Sequence, residues 1–419
     1  MGTRKGLGAF YQDSRGYWTA ALELPRRNGK RRRMIIRDRS KDRAIEKMQK
    51  AQMELRERGD INTEKMTVKT WFTYWLDNIV VPRRTPNTSR QYERIIFEYI
   101  VPVIGSKQLR QLTPVHIRDV LDSMMTATPD RRALSSSYAA NAHTVLCSGL
   151  EAAVREERIM RNVARLVDAP IAEPTNLDAF TLQESIALYR HLLDLPMEER
   201  ALWLAPLLTG GRRGEMIGLE RDRIGDEIDL SWQLQRINWR HGCAPDREPP
   251  RCGHAYGTHC PERYVRIPKG FEHRQLIGAL YLTRPKSKKG WRQIPLVDPL
   301  ASVLRHHIAT SDDNPWGLVF TRDGRPIDPG QQSKDWRKLL AGTGIDRDVR
   351  LHDVRHTTVD LLTIAGVPDD VIMAIVGHSK RATMWDYRRR NDITRLRLGM
   401  TSMGELFNLP GDVPPAIAS

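Results

Sequence analysis

The chain has 419 residues, 40% apolar and 28% charged, with 67 Lys and Arg against 51 Asp and Glu for a formal net charge of +16. This length points to two or three domains. No run approaches the ~18 apolar residues of a membrane span, and the basic start leads into Tyr11, Gln12 and Asp13 instead of an apolar signal core, so a cytoplasmic protein is expected.

The cationic surplus favours a polyanionic partner, because each Lys or Arg that meets a phosphate releases condensed counterions. Four cysteines do not make a disulfide framework in a chain this long. Cys147, alone in an expected helix, reads as a small core residue.

Residues 1–60 read as a small β-rich module with one helix. Gly6–Tyr11, Tyr17–Leu24 and Arg31–Arg37 are strand-like, parted by turn sequences at 13–16 and 26–29. Ala44, Ile45, Met48, Ala51 and Leu55 recur at helical spacing over 40–58, with Gly59 as a stop. Between the second and third strands lie Arg26, Arg27, Lys30, Arg31, Arg32 and Arg33. Such a run is often a solvated loop, but on a two-stranded ribbon it can track a groove and its phosphates, which the whole-chain charge favours.

Residues 67–168 read as helical throughout. Trp71, Trp75 and Ile79 form one stripe, Tyr92, Ile95, Ile96 and Tyr99 another, and Leu109 to Leu121 continue the pattern before a long helix over 135–158. Arg83, Arg84, Arg90 and Arg94 lie between the stripes as candidates for a DNA-facing side. Residues 168–176, with Pro170 and Pro174, read as a linker. Residues 177–410 are mixed: helices, β-hairpins around 224–297, then helices again, with a short apolar helix over 396–409.

Two blocks carry the chemistry. The first is Thr209-Gly210-Gly211-Arg212-Arg213-Gly214-Glu215; the second is His352-Asp353-Val354-Arg355, followed by Gly377-His378 and then Tyr387. Two arginines can each donate paired hydrogen bonds to the oxygens of one phosphodiester, neutralising charge that develops in a phosphoryl transition state. His352 and Arg355, three apart, are expected on one helical face. A tyrosine with an ordinary pKa of ~10 is a poor nucleophile and needs a proton acceptor in an electropositive pocket.

In this ordered set the chain resembles the tyrosine recombinase, or phage integrase, family. The resemblance implies a multidomain fold: an N-terminal sheet-plus-helix module binding arm-type DNA sites, an all-α core-site-binding domain, and a mixed α+β catalytic domain. It implies that Arg212 and Arg355 clamp the scissile phosphate, His352 assists proton transfer from the tyrosine, His378 hydrogen-bonds the phosphate, and Tyr387 attacks to give a 3′-phosphotyrosine. Glu215 supports the pocket from behind. A lysine in the turn 283–290 acts as general acid for the leaving 5′-oxygen; Lys286 is preferred, with Lys288 as substitute and as a further candidate DNA contact.

The expected activity is site-specific integration or excision without any cofactor for catalysis. Expected partners are double-stranded attachment sites and three further copies of the chain in a homotetramer. An excisionase and a host DNA-bending protein are candidate accessory factors, and the setting is the bacterial nucleoid. A transposon recombinase or resolvase would use the same chemistry. A non-catalytic DNA-binding regulator would have lost catalytic positions, and none is missing. A type IB topoisomerase would relax supercoils without paired sites.

The segment His241-Gly242-Cys243 … Cys252-Gly253-His254 … His259-Cys260 concentrates three cysteines and three histidines. The family pattern does not require it. Three thiolates and one imidazole suit a structural zinc, with Cys243, Cys252, Cys260 and His254 as the candidate ligands.

Overall fold

The computed structural model describes residues 10–27, 29–58, 66–171, 179–285, 291–377 and 393–405. The chain divides into two compact units, one of residues 1–80 with 90–173, the other of residues 81–89 with 174–419.

The first unit opens with a three-stranded antiparallel sheet, β1 (Tyr11–Gln12), β2 (Trp18–Arg27) and β3 (Lys30–Asp38), in that spatial order. Most of the expected first strand lies outside the described residues. Helix α1 (Lys41–Arg58) covers one sheet face, where Ala20, Leu24 and Ile36 pack with Met48 and Ala51. Alternation along β3 puts Arg31, Arg33 and Arg37 on the opposite face, and all three are exposed. Arg26 is exposed too, while Arg32, on the helix side, is half-buried; the side chains of Arg27 and Lys30 lie outside the described residues.

Helices follow: α2 (Val68–Trp75), α3 (Pro86–Ile95), α4 (Val101–Ile104), α5 (Pro114–Met125) and α6 (Ser136–Arg155). Both α2 and α3 run on into π-helical turns, Leu76–Val80 and Ile96–Ile100. The aromatic stripe is core, as its spacing predicts: Trp71 is fully buried and its indole N–H donates to the Gly149 carbonyl of α6 at 2.9 Å.

The second unit is built around helix α8 (Met197–Thr209), buried at every position from Ala201 to Thr209. It follows α7 (Leu182–Leu193), whose start Thr181 and Glu184 close with a reciprocal capping box. A short helix α9 (Arg213–Ile217) precedes the β region: β4 (Glu227–Asp229), β5 (Gln233–Arg236), β6 (His273–Ile277), β7 (Leu280–Thr283) and β8 (Gln293–Pro295). These form two antiparallel sheets, β5-β7-β6 and β4-β8. The lysine-bearing connection thus links two sheets instead of closing one hairpin.

Next come α10 (Leu300–Thr310), β9 (Thr321–Arg322), β10 (Arg325–Pro326), α11 (Pro329–Ala341), α12 (Val354–Ile364), α13 (Asp369–Val376) and α14 (Ile393–Glu405). The expected tail helix therefore begins three residues early, and residues 406–419 lie outside the described set. Among the described residues no helix is long and apolar enough to cross a membrane.

Candidate active site

Helices α8 and α13 both end on a glycine in the left-handed region, Gly210 (φ 59°) and Gly377 (φ 68°). A left-handed glycine turns the chain and leaves the last helical carbonyls free, at the negative end of the helix dipole. Here those carbonyls receive guanidinium groups. Arg292 donates to Ile375 O at 2.7 Å, Arg355 to Val376 O, and Arg212 to Gly377 O at 3.2 Å. Three successive carbonyls of one helix end thus hold three arginines from distant parts of the sequence. Arg355 also donates to Gly210 O at 2.6 Å, tying α12 to the end of α8. Thr358 reinforces this joint, its hydroxyl donating to Leu207 O at 2.8 Å.

Glu215 sits beneath the cluster, 1% exposed. Its carboxylate accepts from Arg212 Nη1 at 2.6 Å and from the Arg212 backbone N–H at 2.8 Å. Arg292 meets both oxygens, at 3.1 and 2.8 Å. Burial pushes this carboxyl up, but the charges of Arg292 and Arg212 and their hydrogen bonds outweigh it and hold the group below its ordinary value. Arg292 was not anticipated from the sequence. It is nine-tenths buried and fixes Glu215, which in turn fixes Arg212.

Three guanidiniums against one carboxylate leave a local positive excess. Arg355, 3% exposed, feels it most: burial first, then the charges of Arg212 and Arg292, pull its pKa down to about 9. A bound anion would relieve that repulsion. Arg212, with 35% of its side chain exposed, faces a cleft of about 570 Å³ that Arg213, Arg236, Arg337, Arg350 and His352 also line. No carboxylate lines it among the described residues.

His352 lies in the turn just before α12, not on a shared helical face with Arg355. Asp353 occupies the N-cap position and is buried, its carboxylate gripped by Arg350 at 2.8 and 3.1 Å, so the helix starts one residue later. His352 remains accessible to solvent. Partial covering of its ring, then His356 and the positive charge of Arg355, hold its imidazole below 6.5.

Lys286, Lys288, His378 and Tyr387 lie outside the described residues. What is described are the flanks. Arg284 stacks over both Trp232 and Trp291, at 4.3 and 4.5 Å from the ring centroids, so residues on either side of the lysine-bearing segment meet. The segment carrying His378 and Tyr387 departs directly from Gly377.

The cysteine-rich segment holds a cluster of its own: His241, Cys243, Cys252 and Cys260 have ligand atoms all within 4.8 Å of one another. His254, expected as the fourth member, is not in it. An antiparallel bridge between Arg240 and Tyr264 brings His241 to the thiols, whereas His254 lies against His259, with ring centroids 6.0 Å apart.

Glu215→Gln would leave the arginines facing a neutral amide. Breaking a buried ion pair from one side costs about 3–5 kcal/mol. With about 2–4 °C of melting temperature per kcal/mol for a domain of this size, calorimetry should show the second unit melting at least ~6 °C lower. An unchanged melting temperature would mean that the pairing contributes nothing.

Comparison with known proteins agrees with this geometry. Residues 271–393 match the Phage integrase family, and residues 67–125 match the Phage integrase N-terminal SAM-like domain. An integrase of Saccharopolyspora erythraea is 26% identical over 93% of this chain and 95% of its own length. The tyrosine recombinase XerD of Corynebacterium glutamicum is 23% identical over 77% of this chain and 93% of its own. Among solved structures, the Tn1549 transposon integrase in complex with circular intermediate DNA superposes with a TM-score of 0.54 at 15% identity, covering 80% of this chain and 99% of that one. This last likeness concerns the fold alone.

Proposed function

Because the chain belongs to the phage integrase family of tyrosine recombinases, we propose that it integrates or excises a mobile element by recombining two attachment sites through a 3′-phosphotyrosyl bond to Tyr387. The observation that carries this reading is the seating of Arg212 and Arg355 on adjacent carbonyls, Gly377 and Val376. That is where two forks would grip one phosphate, beside the point from which the Tyr387 segment departs.

In the proposed step the Tyr387 phenolate oxygen bonds to phosphorus as the bond to the 5′-oxygen breaks. Arg212 and Arg355 neutralise the non-bridging oxygens, assisted by His378. His352 takes the phenolic proton, and Lys286, or Lys288 in its place, protonates the leaving 5′-oxygen. Reversal by a 5′-hydroxyl of the partner duplex rejoins the strands, so the bond energy is kept within the DNA backbone. Glu215 positions Arg212 without touching DNA.

The separate matches of residues 67–125 to the SAM-like domain and of 271–393 to the Phage integrase family support a division into an arm-binding module (1–60), a core-site-binding domain (67–168) and a catalytic domain (177–410). The exposed Arg31 and Arg33 on the helix-free face of β3 suit contact with phosphates. A homotetramer on paired sites in the bacterial cytoplasm, with an excisionase and a host bending protein setting direction, completes the proposal. A nicked suicide substrate tests it: a covalent protein–DNA adduct at the attachment core is expected. Relaxation of plasmid lacking any site would point to a topoisomerase instead.

The depressed imidazole of His352 sets a pH dependence. The neutral ring is the proton acceptor, so activity is lost as pH falls through the group's pKa, which lies below 6.5. Single-turnover cleavage over about pH 5–8 should still run at more than half its plateau rate where an ordinary imidazole would be half protonated. His352→Ala should be slower by about 10²–10⁴-fold and lack that acid limb. A wild-type rate already halved at the ordinary imidazole value would remove His352 from the role.

A further inference from the structure

The connection between β5 and β6 is long and almost without a core. Across residues 238–272 of it, all described, Cys260 is the only buried residue. The segment has one 3-10 turn, Gly257–His259. Burial of apolar surface cannot hold so exposed a stretch in one conformation, and chains in that position ordinarily rely on a disulfide or a metal.

Polar contacts hold its base. The Arg240–Tyr264 bridge closes the base, with N–H to carbonyl distances of 2.7 and 3.1 Å. Asp246 gathers Arg240, Arg266 and the Tyr264 hydroxyl at 3.3, 3.1 and 2.8 Å. The rest converges on His241, Cys243, Cys252 and Cys260, whose ligand atoms lie within 4.8 Å of one another. Cys252 Sγ is 3.4 Å from His241 Nδ1.

A tetrahedral zinc with bonds of about 2.3 Å to sulfur and 2.0–2.1 Å to nitrogen would set its ligand atoms about 3.5–3.8 Å apart. From separations within 4.8 Å, that spacing is about an ångström away at most. The cysteines are free thiols, not a disulfide. The cluster contains no carboxylate, which excludes a site built for calcium or magnesium.

We propose that His241, Cys243, Cys252 and Cys260 form a closed, structural zinc site that staples the β5–β6 connection onto the sheet β5-β7-β6. With four protein ligands it has no open position, so the metal is not a reactant. Its role is to hold the outer strands on either side of β7, the strand that leads to the lysine-bearing turn.

Metal analysis of the full-length protein, purified without chelator, tests this independently of any DNA chemistry. One zinc per chain is expected. Cys252→Ser and His241→Ala should each lose most of it, while His254→Ala keeps the full amount. Cobalt in place of zinc should give the visible bands of a tetrahedral thiolate site. If Cys252→Ser proves insoluble, wild-type protein titrated with an organomercurial should release its zinc in step with modification of three thiols. The proposal is overturned by wild-type protein free of zinc with all its thiols promptly reactive, by a disulfide within the cluster, by zinc retained in both ligand variants, or by zinc lost from His254→Ala.

Discussion

Tyr387→Phe should abolish the covalent adduct on a nicked attachment site and reduce strand exchange to the floor of the assay. Deleting a covalent nucleophile elsewhere has cost on the order of 10⁶-fold in rate, and phenylalanine keeps the ring while removing only the attacking oxygen. DNA affinity should be unchanged, because affinity comes from contacts to many phosphates along the duplex. Gel-shift and suicide-substrate assays on the same preparation separate the two properties. Strand exchange by the phenylalanine variant would end the phosphotyrosine reading outright.

Arg355→Lys is the second large effect expected. Arg355 spans two carbonyls, Gly210 O and Val376 O, while buried to 3% exposure. Lysine keeps the charge but offers a single ammonium in place of a planar fork, so it cannot hold both carbonyls and still meet a phosphate. Losing one preorganised donor to a transition-state oxygen costs about 10²–10³-fold. Single-turnover cleavage should fall by that factor, with binding of the uncut site little altered. A lysine variant that cuts at the wild-type rate would show that this arginine only joins α8 to α13.

Much of the site could be read from the chain before any coordinates. Arg212, Glu215, His352 and Arg355 stand in blocks whose order and residue types suit one phosphate, and the structure brings Arg212 and Arg355 to one helix end, with Glu215 beneath. Arg292 escaped notice because a cation after a lysine-rich turn looks like surface charge. One signal was there: Arg292 stands just before β8, two positions from Ile294, and residues two apart in an extended chain tend to share a face. What it meets, however, is a carboxylate 77 positions away, and only tertiary packing reveals that.

The sequence points to His254 in place of His241 in the cysteine cluster for a related reason. Cys252-Gly253-His254 places a histidine close in sequence, but the Arg240–Tyr264 bridge makes His241 close in space. The position of His352 before α12 likewise depends on a tertiary fact, the burial of Asp353 at the helix start. The π-helical turns after α2 and α3 have no counterpart in the apolar spacing, which suits an ordinary helix equally well.

The end of α13 is one short rail on which both arginines proposed to clamp the phosphate rest, at Val376 and Gly377. Each fork has a second anchor of its own, Glu215 for Arg212 and Gly210 O for Arg355, but they share this one. A displacement of that helix end by about an ångström would move both grips together, and misplacements of that size can cost about 10²-fold. On the proposed mechanism, cleavage should then be lost as a whole when that helix end is displaced.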